Sequence, residues 1–523
     1  MSVFLTFYDG VDNIGGNKIL LEDNGTALLL DFGTNFKVEG MYFDEYLFPR
    51  LIFGFTDLLA LGILPPLHGG YRSDLEYPGI WEKYSSHPSY KKIEIQGILL
   101  SHAHWDHCGY LPYLRADIPV YTSLTTSLIL KALQDTSTGS RLQEVCYITP
   151  RELKDGLLRT TDYRRIPGEQ RPFMVWERQG LKDAAQAFWA RCESSRRLVS
   201  RPLISWREET EVGGIRLRFW PMDHSIPGAG AFGLKTSAGW IIYTGDFRLH
   251  GKQRELSRKF MQEAANLKPV VLICEGTHPR TERPVTEEEV LNNCRKVIPR
   301  ASTLVVADFG PRNVERLLSF LQIASEKGRR LVLTPKDIHL LEALYVSGEP
   351  GVPDPYSERD IVLYIRPKAQ RARWEENLLE RFRKKAQDRI VEAKDIRRDP
   401  GSYILCFSYY DFHALLDLEV RGGIYIYSSS EAFDEEMLID QQRVKNWIDF
   451  LGFELYGNLG REREKSGFHA SGHVHGPGLE EMVETIQPDI LIPIHTEDKE
   501  FFQRFKGICR VVFPNKGQTL AVG

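Results

Sequence analysis

The stretch Ser101-His102-Ala103-His104-Trp105-Asp106-His107 follows directly on the apolar run Ile93–Leu100. It places three histidines and an aspartate within six residues. Imidazole and carboxylate are ligands that suit zinc. Alternate side chains of extended chain point the same way, so His102 and His104 can grip one ion. Asp106 and His107, where the chain turns toward a helix, can face a second. One histidine alone would read as a surface or satisfied core residue, but this spacing after a buried strand reads as a metal site.

The remaining ligands should come from distant strand ends. Trp220-Pro221-Met222-Asp223-His224 ends a strand in a loop and offers His224. Tyr243-Thr244-Gly245-Asp246 offers Asp246, a carboxylate suited to bridge two ions. Asp489-Ile490-Leu491-Ile492-Pro493-Ile494-His495 is an apolar strand ending in His495. Asp31 ends the strand that begins at Ala27 and is expected to orient a ligand histidine from behind.

Around these residues the chain reads as α/β. Val3–Tyr8, Lys18–Glu22 and Ala27–Asp31 look like strands, separated by Asp9-Gly10, Gly15-Gly16 and Asn24-Gly25. The run 51–67 reads as a buried helix; Asp57 and Pro65-Pro66 interrupt it, so no membrane span is expected. Residues 151–206 are charged and helix-like, and with 34–92 they form two long inserts. Strands return at Ile215–Trp220, Ala231–Thr236, Trp240–Tyr243 and Val270–Cys274. From Thr303 the rhythm changes to strand (303–307), helix (311–326), strand (330–334) and helix (335–346), the alternation of a parallel sheet. Residues 366–399 carry twelve basic and seven acidic side chains, either a solvated amphipathic helix or a basic wall for a phosphate backbone. The strand-turn style resumes near Phe453. One domain, 1–278 and 453–523, is thus expected to be split by a second at 279–452.

Composition narrows the function. The chain has 523 residues, 42% hydrophobic and 26% charged, with a net charge of −4. That excludes a disordered chain and a uniformly basic nucleic-acid coat. The seven scattered cysteines form no C-x-x-C pair and read as buried reduced thiols, which points to the cytoplasm.

The series Asp31, His102-x-His104-x-Asp106-His107, His224 and Asp246 resembles the motif order of the metallo-β-lactamase superfamily. That resemblance implies an αββα sandwich with a two-metal site at one edge. Cys274-Glu275-Gly276-Thr277-His278, His469-Ala470-Ser471-Gly472-His473 and Pro493-Ile494-His495 resemble motifs A, B and C of the β-CASP subgroup of nucleic-acid-processing nucleases. The inserted domain sits where that subgroup has its second domain. Ile14-Gly15-Gly16-Asn17, Gly310-Pro311-Arg312-Asn313-Val314-Glu315-Arg316 and the His-x-Ser-Gly-His run make the chain most similar to ribonuclease J-like enzymes, whereas Glu275-Gly276-Thr277 is closer to the cleavage-and-polyadenylation endonucleases.

The resemblance implies a zinc-dependent ribonuclease, 5′→3′ exonucleolytic with endonuclease activity open. Its substrate would be single-stranded RNA with a 5′-monophosphate end, and homo-oligomerisation is left open. Two zinc ions are expected: His102, His104 and His224 on one, Asp106, His107 and His495 on the other, and Asp246 between them. His473 would assist at the leaving oxygen or the developing oxyanion, and Glu275 would orient a neighbouring histidine. Ser428, Ser429, Ser471 and Gly472, with Arg312 and Asn313 at a helix start, would cradle a substrate phosphate. The alternatives are a cleavage-and-polyadenylation-like endonuclease, a small-molecule metallo-hydrolase and a non-catalytic scaffold. The scaffold reading sits badly with the full ligand set, and the small-molecule reading with the second domain.

Overall fold

The computed structural model describes residues 2–44, 46–137, 143–194, 196–299, 302–310, 312–429, 435–460 and 467–523. The strand Thr26–Phe32 is apolar at nearly every position and buried along its whole length. A strand of that kind needs cover on both faces, and two layers supply it. Leu28 and Leu30 face a core shared with a second sheet. Leu29 faces a core on the opposite side, with Leu128 and Ile129 of the helix Leu124–Asp135.

The first sheet has eight strands, in the order Ile204–Trp206, Phe173–Trp176, Val120–Ser123, Gly97–Leu99, Thr26–Phe32, Lys18–Asp23, Val3–Asp9 and Gln518–Val522. The second runs Glu209–Val212, Ile215–Pro221, Gly230–Thr236, Gly239–Tyr243, Val271–Glu275, Ile490–Ile494 and Arg510–Val511. Leu5, Phe7 and Leu99 of the first meet Leu217, Phe232, Ile273 and Ile492 of the second. The outer face of the second sheet is covered by the helices Arg254–Asn266 and Gly476–Ile486, through Phe260, Leu479 and Met482. The layers are therefore helix, sheet, sheet, helix, as the resemblance implied.

A third sheet is wholly parallel. Its order is Ile390–Val391, Ile361–Tyr364, Arg330–Leu333, Tyr403–Cys406, Val305–Asp308, Gly423–Tyr427 and Phe453–Tyr456. Leu317, Leu344 and Phe382 cover one face, and Phe412, Leu415 and Ile448 the other.

Several expectations change. Phe453–Tyr456 does not open the return segment but pairs in parallel with Gly423–Tyr427, so the third sheet extends beyond 452. The regular structure of the insert 151–206 is mostly strand, joined by loops. Asp155 and Gly156 both take positive φ, 53° and 75°, and turn Arg151–Lys154 back onto Leu157–Thr160. Phe173–Trp176 and Ile204–Trp206 extend the first sheet, leaving one helix, Asp183–Ala190. Charge misled here, because strands at a sheet's edge carry polar outward faces. The run 51–67 is no single helix. A 3-10 turn at Leu51–Phe53 is stopped by Gly54 at φ 62°, and a short helix follows at Thr56–Ala60. The strand before the histidines shrinks to Gly97–Leu99. Residues 366–399 contain the helix Arg373–Ala386, which buries Trp374, Leu378, Leu379 and Phe382 as an amphipathic helix should. Among the described residues, no helix is long and apolar enough to cross a membrane.

Candidate metal centre

Every residue in the expected ligand set follows or ends a strand of the sandwich, apart from Asp106 and His107, which open the short helix Trp105–Cys108. The ring nitrogens converge. His104 Nδ1 lies 3.0 Å from His102 Nε2 and 3.1 Å from His224 Nε2. His495 Nε2 lies 3.2 Å from Asp106 Oδ2, and His107 Nε2 3.1 Å from Asp246 Oδ2. His102 and His495 each approach Asp246 Oδ2 at 3.7 Å. Two groups of ligand atoms match the expected sets, His102/His104/His224/Asp246 and Asp106/His107/Asp246/His495, each within 4.8 Å; a third, Asp246/Glu275/His473/His495, overlaps them. Asp246 belongs to both, as the sequence suggests.

This cluster does not satisfy itself. Both oxygens of Asp246, and Nε2 of His107, are buried without an aligned hydrogen bond, although Asp246 Oδ2 and His107 Nε2 lie 3.1 Å apart. Burying a carboxylate that way is costly unless a cation compensates it, so the donor set fits a metal. Burial and the neighbouring imidazoles push His102 and His104 well below the ordinary histidine value, and His224 down to about 4. These three rings are neutral near pH 7, the form that ligates. Burial also disfavours charge on His107, but Asp246, Asp106 and Asp31 outweigh it and raise the ring. Burial would raise Asp246, yet His107, His495 and His473 hold it well below the usual carboxylate range.

The groups behind the cluster orient it. Asp31 Oδ2 accepts from His107 Nδ1 at 2.7 Å and from Ser101 Oγ at 2.7 Å, and Asp31 Oδ1 accepts from Ser101 N at 2.8 Å. Tyr243 OH also donates to Asp31 Oδ2, and Asn17 Nδ2 donates to that hydroxyl at 3.2 Å. Asp31 and His495 take left-handed backbone, φ 54° and 51°, rare for such residues and characteristic of functional sites. Thr277 Oγ1 lies 2.9 Å from His495 Nδ1 and donates to Glu275 Oε2 at 2.8 Å. Ser101, Tyr243, Asn17 and Thr277 were absent from the sequence-based set. All four lie within stretches quoted above, but as ordinary strand and turn residues they carry no spacing signature of their own.

Glu275 is fully buried, accepts from Phe247 N at 2.8 Å and lies 3.1 Å from His473 Nδ1. Burial disfavours charge on His473, but Glu275 and then Asp246 lift it to about 9. His473 therefore stands as an imidazolium at the rim, 3.7 Å from Asp246.

The expected phosphate cradle divides. Ser428 is buried, and its hydroxyl is engaged inside the protein, donating to Phe468 O and accepting from Arg316. Asn313 Oδ1 accepts from Arg316 N at 3.1 Å and caps the helix Val314–Lys327. Neither side chain is placed for a substrate phosphate. Ser471 Oγ accepts from His473 N at 3.2 Å, and Gly472 O accepts from His224 Nδ1 at 2.6 Å. Ser429 ends that described segment; Ser430, Glu431 and Pro311 lie outside the described residues. Arg312 reaches from the third-sheet side to the histidine loop, donating to Ala103 O at 3.2 Å.

No family model matches the chain. It is 23% identical over 351 residues to a protein named ribonuclease J from Sinorhizobium meliloti, covering 64% of this chain and 53% of that one. It is 26% identical over 232 residues to cleavage and polyadenylation specificity factor 73 from Drosophila melanogaster, covering 44% and 28%. The chain thus spans about half the length of the first relative and less of the second. A crystal structure of an Enterococcus faecalis V583 protein of unknown function superposes over 100% of both chains with a TM-score of 0.67 at 20% identity, a likeness of fold. The motif order, the sandwich with its ligand cluster at one edge, and these relatives are consistent with a ribonuclease J-like chain of the β-CASP metallo-β-lactamase type.

Proposed function

We propose that the chain is a two-zinc phosphodiester hydrolase acting on single-stranded RNA, releasing nucleotides 5′→3′ from a 5′-monophosphate end and able to cut internally. The observation that carries this reading is Asp246: a buried carboxylate, both oxygens without an aligned hydrogen bond, where five imidazoles and a second carboxylate converge. When bound, two zinc ions would supply Lewis acidity toward the phosphoryl oxygens and lower the pKa of water.

The chain's own residues do the rest. His102, His104 and His224 form one ligand face, and Asp106, His107 and His495 the other, with Asp246 shared. Asp31 holds His107 in the tautomer that leaves Nε2 free for the cluster, and Thr277 does the same for His495. His473, kept cationic by Glu275, delivers a proton toward the leaving oxygen or a hydrogen bond toward the developing oxyanion. Arg312, with backbone N–H groups of the 471–473 loop, steadies the substrate phosphate. The charge of −4 is compatible with RNA in this reading, because the positive charge is local: two ions, His473 and Arg312.

Labelled RNA oligonucleotides bearing a 5′-monophosphate or a 5′-triphosphate test this. The zinc-loaded chain should release mononucleotides faster from the monophosphate. Equal internal cutting of both would favour the cleavage-and-polyadenylation-like endonuclease. A folded, zinc-loaded chain that cleaves neither removes the ribonuclease reading.

A further inference from the structure

Beside the ligand cluster lies a second buried charged group that the mechanism above does not use. Arg248 and Arg316 are both fully buried and lie far apart in sequence. They share one carboxylate, Glu287. Arg248 reaches Glu287 Oε1 at 3.0 Å, and Arg316 reaches Oε2 at 3.0 and 3.2 Å.

Each guanidinium also reaches the loop that carries His473, while Arg248 Nη2 holds Glu315 Oε2 at 2.8 Å. Arg248 donates to Ser471 O at 3.2 Å, and Arg316 to Phe468 O at 3.2 Å and Ser428 O at 2.9 Å. Arg248 also holds Asp223 Oδ1 at 3.1 Å, and Asp223 immediately precedes His224. The same loop returns to the metal side through Gly472 O and His224 Nδ1. The 468–473 loop is thus suspended between two planar forks hinged on one carboxylate. Arg248 comes from the sandwich; Arg316 comes from the helix that packs against the third sheet.

A guanidinium fixes direction as well as charge, which a lysine ammonium cannot do. We propose that Arg248 and Arg316, joined through Glu287, are positioning residues that set His473 over the ligand cluster and thereby govern turnover rather than metal retention. The inference rests on the hydrolase reading above.

The test is Arg316→Lys, which keeps the charge and removes the fork. The zinc-loaded variant and the parent chain are compared on bis(p-nitrophenyl) phosphate and on 5′-monophosphorylated RNA. Zinc content, thermal melting and amide hydrogen exchange across 467–475 are measured alongside. The expected result is unchanged zinc content, a cooperative melt, faster exchange across 467–475 and kcat lower by about 10²-fold with KM little changed, the order expected of a misplacement near 1 Å. Unchanged kcat in a folded variant overturns the proposal. So does loss of zinc, or a rise in KM at constant kcat. If Arg316→Lys does not melt cooperatively, Ser428→Ala removes only the hydroxyl that Arg316 holds and is read by the same criteria, with a smaller fall in kcat. A parent chain inert on both substrates removes the hydrolase reading itself, whereas an active parent with an unaffected variant removes only this inference.

Discussion

Two buried charged clusters stand side by side in this molecule, and they differ in one respect. Around Asp246, imidazoles and carboxylates converge and leave the central carboxylate without an aligned hydrogen bond. Around Glu287, both oxygens accept from two guanidiniums at 3.0–3.2 Å. The first arrangement is incomplete without a cation; the second is complete as a scaffold. Buried polar groups are normally satisfied, and an unsatisfied carboxylate set among imidazoles fits a bound cation. The contrast separates ligand chemistry from the framework that aims it.

The sharpest way to break the comparison is Asp246→Asn. It removes the shared charge from both ligand groups, and hydrolysis should fall by roughly 10³-fold or more, with zinc binding weakened. Elemental analysis and the oligonucleotide assay check this together; a variant that keeps its full zinc and its activity would remove Asp246 from the centre.

The next effect should come from behind the cluster. Asp31→Asn removes the charge of the acceptor behind His107 and puts an amide donor in its place, and zinc affinity should drop by about 10–100-fold, read by competition with a chromogenic chelator. Tyr243→Phe removes one of the donors to Asp31 and should lower affinity in the same direction but less. An effect of Tyr243→Phe exceeding that of Asp31→Asn would contradict the order of support described here.

The last effect concerns the satisfied cluster and appears in stability rather than in turnover or zinc affinity. Burial disfavours charge on Glu287, but Arg316 and then Arg248 outweigh it and hold the carboxyl down at about 2, below its ordinary value near 4.5. A carboxyl lowered on folding contributes stability above its unfolded value and loses it as pH falls toward the folded one. Glu287 should contribute about 3 kcal/mol above pH 4.5, lost progressively toward pH 2. Urea titrations of the parent and Glu287→Gln across that window should show a steeper pH slope in the parent than in the variant. Equal slopes would mean that Glu287 is not held as drawn.

The two clusters also differ in how far the sequence revealed them. His102, His104, Asp106 and His107 lie within one turn of chain, so spacing alone exposed them, and His224, Asp246 and His495 announced themselves at the ends of apolar strands. Arg248, Glu287 and Arg316 come singly from three segments, and no spacing links a buried arginine to a carboxylate 39 or 29 residues away. The side chains of Ser428 and Asn313 are turned away from a phosphate for a related reason: the residue types suit binding, but inward hydrogen bonds engage them. The sandwich was legible where strands alternate with Gly-rich turns. It was not legible at 151–206, where exposed edge strands carry the charge of a surface helix.

The central claim is that the unsatisfied cluster is a two-metal centre. Elemental analysis of the purified chain, loaded with zinc and dialysed against metal-free buffer, tests it most directly. The account predicts about two zinc per chain, in line with two complete ligand groups, and a clear fall in Asp246→Asn. A cooperatively folded parent chain that retains no metal would contradict it.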